Sequence, residues 1–457
     1  MIGYKGVDLN KLLISVSGVR GIIGTALTAD VAVNYAAAFG TFLPRGKVAV
    51  GGDTRKSGPM IKSAAIAGLL ATGHDVIDIG ICPTPTLELA VFDGSYAGAI
   101  AVTASHNPDQ YNALKLIGPK GLFLNEIQGK KVKSIYAKGL QKNVKWDKVG
   151  NIYPDDSWIN HHINKIFGLD IISLDSIASS HLKVVADCCG STAAVVAANF
   201  FSRMDIDFHL VNSIPSDRFP RGPEPVPENL SDLCKTVKDQ KANLGMAFDP
   251  DSDRLALVDE NGIPLGEEYT LALAARFILQ NKKGPMAVNL SSSLMNEFVA
   301  KNAGVKIYRT RVGERNVTEK LIKSKGVVGG EGNGGLIYPG LHFGRDAFLA
   351  AAVIIQYLTS SKKKISELAR ELPRYEMVKT TLNLSRSDVD KNVRKIEKLF
   401  PKARIDRLDG IKIIGDNWWV QIRASNTEPI ARLMAEAPGK DDALKLISKV
   451  KRALSRR

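Results

Sequence analysis

The sequence predicts an α/β protein: three similar α/β domains with mixed sheets, then a smaller C-terminal α+β domain, around a central cleft. Three observations predict it. First, a basic or Gly-Pro start, a short apolar strand, a polar turn and an apolar helix recur at KVAVGGDTR (47–55), LKVVADCCG (182–190) and GPMAVNLSSS (284–293). Second, each recurrence is followed by another apolar strand that runs into a polar turn: GAIAV (98–102) into TASHNP, LGMAF (244–248) into DPDSDR, and GVVGG (326–330) into EGNGG. Third, the pattern changes after LPRYEM (372–377) to short alternating runs joined by turns.

Short apolar runs that end in Gly, Asp or Ser before a helical pattern mark a parallel layer buried on both faces. Helices are expected from about Met60, Thr192 and Leu294. In the C-terminal part a helical pattern runs from Asp388 to Phe400. RIDRLDGIKIIGDNWWVQIRAS then reads as an antiparallel meander with turns at Asp409-Gly410 and Gly415-Asp416-Asn417, followed by a helix from Asp441 to about Leu454. A chain of 457 residues exceeds a single core. The expected domains are 1–153, 154–255, 256–371 and 372–457.

The composition, 44% hydrophobic and 24% charged, is that of a globular protein. No apolar run reaches the roughly 18 residues that span a membrane, and the first residues carry no signal-peptide pattern, so a cytoplasmic protein is expected. The four cysteines lack zinc spacing and read as buried reduced thiols. A net charge of +15 suits anionic partners. The basic residues are scattered without interleaved aromatics, so small anionic substrates are expected rather than nucleic acid. The oligomeric state stays open, a homodimer included.

In open α/β sheets ligands bind beyond the carboxyl ends of strands, where the three polar turns fall. In Thr103-Ala-Ser-His-Asn-Pro108, Ser105 is placed to act as an exposed nucleophile beside His106; a helix-capping serine is the plainer alternative. Lys115, ten residues on, can bring a cation to the same phosphate. In Asp249-Pro-Asp-Ser-Asp-Arg254, alternate residues of an extended loop point the same way and gather three carboxylates. Hard oxygen ligands suit Mg²⁺, and three carboxylates behind an apolar strand are costly without a cation. Arg254 can hold a phosphoryl oxygen. The loop from Gly329 to Gly335, with five glycines in seven residues, allows close ligand approach and offers Glu331 and Asn333 to hydroxyls. Arg423, Ser425, Asn426, Thr427 and Arg432 have the composition of a phosphate cradle.

These turns, in this order, resemble the α-D-phosphohexomutase family of phosphomannomutase/phosphoglucomutase and phosphoglucosamine mutase, archaeal-type members in particular. The resemblance spans SGVRGIIG (17–24), GGDTRKSG (51–58), TASHNPDQYNALK, PEPVPENL (223–230), DPDSDR, RTRVGERNV (309–317), GEGNGG and RASNTEPIAR (423–432). It implies four domains around a deep cleft and a phosphoserine at Ser105. It implies Mg²⁺ held by Asp249, Asp251, Asp253 and the Ser105 phosphate. The phosphoserine would phosphorylate a hexose monophosphate (glucosamine, glucose or mannose) at its 6- or 1-hydroxyl, and the hexose bisphosphate would turn over and return its other phosphate to Ser105. By the same resemblance Arg20, His106, Lys115 and Arg254 surround the transferred phosphate. Gly313, Glu314, Glu331 and Asn333 fall on the sugar, and Arg423, Ser425, Asn426, Thr427 and Arg432 on the other phosphate.

Three positions depart from the common pattern. Asn333 and Gly335 stand where bacterial loops read Gly-Glu-x-Ser-Gly-His, and Gly52 stands where arginine is common. Gly335 in place of histidine predicts a roomier, less selective sugar site. Glu314, a carboxylate where bacterial mannose/glucose enzymes carry histidine, predicts a preference for glucosamine phosphate, with glucose and mannose phosphates accepted; the plainer alternative is that it pairs with Arg311 or Arg315 and never meets the sugar. The competing enzyme reading is a metal-dependent serine phosphatase of sugar phosphates; the competing reading from another class, a nucleic-acid binder, rests on charge alone.

Overall fold

The structure, a computed structural model, describes residues 12–424 and 430–455. The first segment contains β1 (Leu13–Ser15), β2 (Gly18–Ile22), α1 (Ala29–Phe42), β3 (Val48–Gly52), α2 (Gly58–Ala71), β4 (Val76–Ile81), α3 (Thr84–Gly94), β5 (Gly98–Val102), β6 (Tyr111–Gly118), β7 (Leu122–Phe123), α4 (Glu126–Ala137) and β8 (Ile152–Pro154). The second contains α5 (Ser157–Phe167), α6 (Leu174–Ala178), β9 (Lys183–Asp187), α7 (Thr192–Arg203), β10 (Asp207–Val211), α8 (Ser231–Asp239), β11 (Leu244–Phe248) and β12 (Leu255–Val258). There follow α9 (Glu267–Asn281), β13 (Met286–Asn289), α10 (Met295–Ala303), β14 (Ile307–Thr310), α11 (Glu314–Ser324), β15 (Val328–Glu331), β16 (Gly335–Ile337), α12 (Ala347–Ser361) and α13 (Ile365–Arg370). The last segment contains β17 (Glu376–Leu382), α14 (Arg386–Glu397), β18 (Arg404–Asp406), β19 (Ile411–Ile414), β20 (Trp419–Ala424), β21 (Ala431–Ala437) and α15 (Lys440–Ser455).

The chain packs as two units. One runs to Thr270 and includes Gly334–Ser366; the other comprises Leu271–Asn333 and Glu367–Arg457. In the first unit an eight-stranded mixed sheet has the order β1-β2-β6-β5-β3-β4-β8, with β7 beside β6. β3 is parallel to β4 and β5, whereas β5 and β6 are antiparallel. β3 and β5 are buried on both faces, which is why they read as unbroken apolar runs. Alternate residues serve opposite cores: Val48, Val50, Ile100 and Val102 pack with Phe39, Ile61 and Leu69 on one face, and Ala49, Ala99 and Ala101 with Leu87 and Val91 on the other.

β3 leads through α2 to β4 on one side, while β5 leads to β6 on the other. The connections part between β3 and β5, and a crevice at their carboxyl ends follows. The second sheet, β10-β9-β11-β12, repeats the arrangement: β9 leads through α7 to β10, and β11 turns the other way into antiparallel β12. α12, AFLAAAVIIQYLTSS, is apolar all round and is buried along most of its length. Asp346 caps it, accepting from Phe348 N (2.9 Å) and Leu349 N (3.0 Å).

In the second unit β13 is parallel to β14 and β15, with α10 and α11 as connections. The last segment forms an antiparallel five-stranded sheet, β17-β21-β20-β19-β18. Ile411, Ile413, Val420, Ile422, Leu433 and Ala435 of this sheet share a core with Val389 and Ile396 of α14 and Ile447 and Val450 of α15. The expected meander is present, with its turns between β18, β19 and β20. α14 starts two residues before the expected Asp388, because Ser385 forms a capping box with Asp388 and so fixes the helix start.

Three α/β segments with mixed sheets and a smaller C-terminal α+β segment therefore form the chain, as expected. Among the described residues no helix is long and apolar enough to cross a membrane. Cys82, Cys188, Cys189 and Cys234 are free thiols.

Candidate active site

The turn between β5 and β6 carries Ser105. Its backbone is left-handed (φ +49°), a conformation that costs a non-glycine residue about 1 kcal/mol and needs support. Arg55 supplies it. From a fully buried position its guanidinium donates to Ser105 O (2.6 Å), Asn107 O (2.7 Å), Pro108 O (2.7 Å) and Tyr111 O (3.2 Å), and its Nε to Asp53 Oδ2 (3.0 Å). Thr103 Oγ1 donates to Asp53 Oδ2 (2.6 Å) and accepts from Ser105 N (2.9 Å). The hydroxyl that results is aimed: Ser105 Oγ donates to Asp249 Oδ2 at 3.0 Å and lies 3.3 Å from His106 Nδ1. Arg20, on β2, donates to Asn107 Oδ1 (2.6 Å) in the same turn.

Asp249, Asp251 and Asp253 converge in the β11–β12 turn, with ligand oxygens all within 4.8 Å of one another. They do so by a different route from the expected extended alternation. The loop is a tight turn with Ser252 left-handed (φ +53°), and helix N-termini hold its carbonyls. Pro250 O accepts from Thr192 N (3.2 Å), Asp251 O from Thr84 N (2.9 Å), and Ser252 O from Ala347 N (3.1 Å). These donors are the first residues of α7, α3 and α12, so three positive helix ends surround the carboxylates. Asp249 Oδ1 accepts from Asp253 N (3.0 Å) and Arg254 N (3.1 Å), and Asp251 Oδ2 from Thr84 Oγ1 (2.7 Å).

Cations complete the balance. Lys115, on β6 opposite Ala101 of β5, places Nζ 2.5 Å from Asp251 Oδ2 and 3.7 Å from Asp253 Oδ2. Arg345 Nη2 lies 2.5 Å from Asp253 Oδ2, and Arg254 Nε lies 3.6 Å from Asp253 Oδ1. Burial pushes Asp251 up, but the neighbouring Lys115 ammonium and the hydrogen bonds from Lys115 and Thr84 outweigh it and hold the carboxyl well below its usual range. Asp249 goes the other way: burial, then the charges of Asp253 and Asp251, raise it. Burial, then the positive Arg254, Arg20 and Lys115, depress His106 to about 2, so its imidazole is neutral. Asp251 Oδ1 and Asp253 Oδ1 are buried and accept no hydrogen bond from a described residue. Such orphaned oxygens, in a set of hard ligands, fit a divalent cation such as Mg²⁺.

The remaining expected residues lie in the second unit. Glu331 ends β15 and is buried; its Oε1 accepts from Asn289 Nδ2 (2.8 Å) and Gly313 N (2.9 Å). Gly313 has φ +117° and begins α11, whose first residue is the buried Glu314. Arg315 pairs with Glu319 (2.9 Å), and Arg311 Nε donates to Leu408 O (3.0 Å). Asn333 is half-buried. Arg423 and Arg432 are directly opposed on β20 and β21. Burial pulls the Arg423 guanidinium below its usual range; Asp409 opposes this and Arg432 adds to it. Arg423 Nε is buried without a hydrogen-bond partner among the described residues. Two facing arginines of this kind suit an anion. Ser425, Asn426 and Thr427 lie outside the described residues.

Gly329 belongs to β15, in keeping with the apolar run GVVGG, and a Cβ there would lie 2.3 Å from Ala287 O. One expectation is corrected. Gly335 does not leave empty space, because a Cβ there would lie 2.3 Å from Cδ of Arg345, whose stem fills the place. Gly52 likewise lies against β5, where a Cβ would be 2.4 Å from Val102 O. Asp53, Arg55, Thr84 and Arg345 are the residues that sequence reasoning passed over. The polar turn GGDTR at a strand end and the Asp before the apolar run of α12 were the available signals.

A mixed α/β scaffold that sets a serine hydroxyl against three buried carboxylates and a ring of cations is the scaffold of a phosphoryl-transfer enzyme. Comparison with known proteins makes it specific. Residues 11–143, 157–262 and 266–375 match the phosphoglucomutase/phosphomannomutase alpha/beta/alpha domains I, II and III, and 382–453 match the C-terminal domain. The chain is 37% identical over 435 residues to a phosphoglucomutase/phosphomannomutase of Thermococcus kodakarensis, covering 93% of this chain and 94% of that protein. It is 36% identical to a probable phosphoglucosamine mutase of Methanopyrus kandleri, covering 94% and 95%. The crystal structure of a phosphoglucomutase/phosphomannomutase family protein from Burkholderia thailandensis superposes with a TM-score of 0.84 at 26% identity, covering 98% and 97%. The chain belongs to the phosphoglucomutase/phosphomannomutase family.

Proposed function

We propose that the protein is a phosphohexomutase that interconverts hexose 6-phosphate and hexose 1-phosphate through a phosphoserine at Ser105 and a bisphosphorylated sugar. The observation that carries the reading is Ser105 Oγ, supported in a left-handed turn and 3.0 Å from Asp249 Oδ2 in a buried three-carboxylate loop. In the first half-reaction the bond from Ser105 Oγ to phosphorus breaks as a sugar hydroxyl oxygen bonds to it, and the proton lost by that hydroxyl is balanced by the one Ser105 Oγ takes up. In the second, Ser105 Oγ gives up that proton and bonds to the other phosphorus of the bisphosphate, whose bond to the sugar oxygen breaks, and that oxygen takes up a proton.

Asp249, Asp251 and Asp253, with the Ser105 phosphate, would hold Mg²⁺, which when bound supplies charge neutralisation for the phosphoryl oxygens. Lys115, Arg254, Arg20 and neutral His106 bind and orient the group in transfer. Glu331, Asn333, Gly313 and Glu314 receive the sugar. Arg423, Arg432 and the segment Ser425–Thr427 hold the phosphate that is not reacting. The segments 1–153, 154–255, 256–371 and 372–457 are the proposed domains for these tasks, and the cytoplasm the proposed place of action.

The proposed order of sugars is glucosamine phosphate first, then glucose and mannose phosphates, on the strength of the buried Glu314 carboxylate beside Gly313. The test is a coupled assay across glucosamine, glucose, mannose and N-acetylglucosamine phosphates, with mass spectrometry of the intact protein. Turnover of at least one of these, with a phosphate adduct that maps to Ser105, is the expected result. Hydrolysis to free sugar and phosphate would reject the mutase reading. An unchanged glucosamine-to-glucose ratio of kcat/KM in Glu314→Gln would reject the specificity argument alone.

A further inference from the structure

A second titratable cluster lies in the first unit and takes no part in the chemistry above. His162, His342 and Asp346 are buried, with both imidazoles on one carboxylate oxygen: His162 Nε2 is 2.7 Å and His342 Nε2 3.1 Å from Asp346 Oδ2. Two histidines and an aspartate in contact suggest a metal site, but the hydrogen bonds say otherwise. Gly344 N donates to His342 Nδ1 (2.9 Å), so that nitrogen carries a lone pair and Nε2 carries the proton. To ligate through Nε2, His342 would have to turn an Nδ1–H against the Gly344 N–H. Both imidazoles instead donate Nε2–H to the carboxylate, whose other oxygen accepts from Phe348 N and Leu349 N. His162 Nδ1 meets Thr86 Oγ1 at 2.9 Å.

The surroundings of this cluster give it a purpose. On one side of Asp346, Arg345 reaches Asp253 Oδ2 (2.5 Å); on the other, Ala347 N holds Ser252 O (3.1 Å). Through Thr86 the cluster also grips α3, whose Thr84 holds both Asp251 O (2.9 Å) and Asp251 Oδ2 (2.7 Å). Both the α12 route and the α3 route out of the cluster end on the three-carboxylate loop.

We propose that His162, Asp346 and His342 are positioning residues that seat the N-termini of α12 and α3 on the Asp249–Asp253 loop, set its affinity for a divalent cation, and bind no metal themselves. The proposal rests on the reading that the loop takes such a cation. Groups that orient metal ligands typically change affinity by about 10- to 100-fold when removed.

Calorimetric titration of the full-length protein with Mg²⁺ tests it, with unfolding temperatures in EDTA recorded beside it. Removal of one donor in His162→Phe is expected to weaken Mg²⁺ binding by about tenfold or more. His162→Gln, whose side-chain amide can still donate to Asp346, should stay within about twofold of wild type. A His162→Phe protein that loses thermal stability but keeps wild-type Mg²⁺ affinity overturns the proposal, since the cluster would then be merely structural. A wild type that binds no Mg²⁺ overturns the loop assignment and the proposal together. If His162→Phe does not fold, wild-type protein labelled with ¹⁵N at histidine decides. Its imidazole spectrum at pH 7 should hold His342 as the neutral Nε2–H form, unmoved by one equivalent of Zn²⁺. An Nδ1–H form of His342, or zinc bound by these imidazoles, overturns it.

Discussion

Arg55 is the residue whose loss should separate binding from chemistry. Its fork serves four carbonyls around Ser105 at once, from a position 1% exposed. Arg55→Lys keeps the charge beside Asp53 but offers a point in place of a planar fork. Misplacement of a reacting group by about 1 Å costs on the order of a hundredfold, so kcat should fall by about that factor with KM little changed. An unchanged kcat would remove Arg55 from the account. Ser105→Ala should abolish turnover and the phosphate adduct together, since no acceptor is left. Arg423→Ala should act the other way, raising KM by roughly 10- to 100-fold through loss of a charge-assisted bond of about 1.5–3 kcal/mol. Steady-state kinetics on the three variants sort them. The aspartates were legible because three carboxylates directly after an apolar strand have few structural explanations; Ser105, which a helix cap explains as plainly, was legible through the resemblance. Arg55 and Arg345 were not, because each earns its role from partners far along the chain: Ser105 is 50 residues from Arg55, and Asp253 is 92 from Arg345.

Elements differ in legibility for the same reason. β3, β5, β9, β11 and β13 lie inside their sheets and read as continuous apolar runs. β2 carries Arg20 and two glycines in five residues and gives no such signal; it is a strand because β1 and β6 pair with it on either side. The turn that leads into α12 makes a prediction at this scale. Burial lowers the pKa of His342, with Asp346 opposing, while His162, Asp93 and Glu88 are its other ionisable neighbours. A histidine depressed in the folded state stays neutral there and takes its proton on unfolding below about pH 6.5, so the stability it contributes is present above that pH and lost below it. The unfolding temperature should therefore drop from pH 7.5 to pH 5.5, and drop less in His342→Gln. Thermal melts of the two proteins at both pH values check the sign.

At the scale of the molecule, the ion loop is already neutralised before any cation binds. Lys115 and Arg345 each lie 2.5 Å from one of its carboxylates, the three helix ends are in place, and Asp249 is shifted towards its protonated form. EDTA should thus abolish turnover while the unfolding temperature moves by no more than a few degrees, and Mg²⁺ should restore activity without refolding. A collapse of the melt in EDTA would make the ion structural. The same clamp bears on how the protein is made. Asp251 waits for nothing, since Thr84 precedes it by 167 residues, but Arg345 follows Asp253 by 92. At a synthesis rate of about 5–20 residues per second, the nascent chain carries a half-built ion loop for several seconds after that loop leaves the ribosome. The three-carboxylate loop is thus closed by one of the later helices to emerge, and a product truncated ahead of α12 would carry these carboxylates without Arg345 and the helix end that hold them.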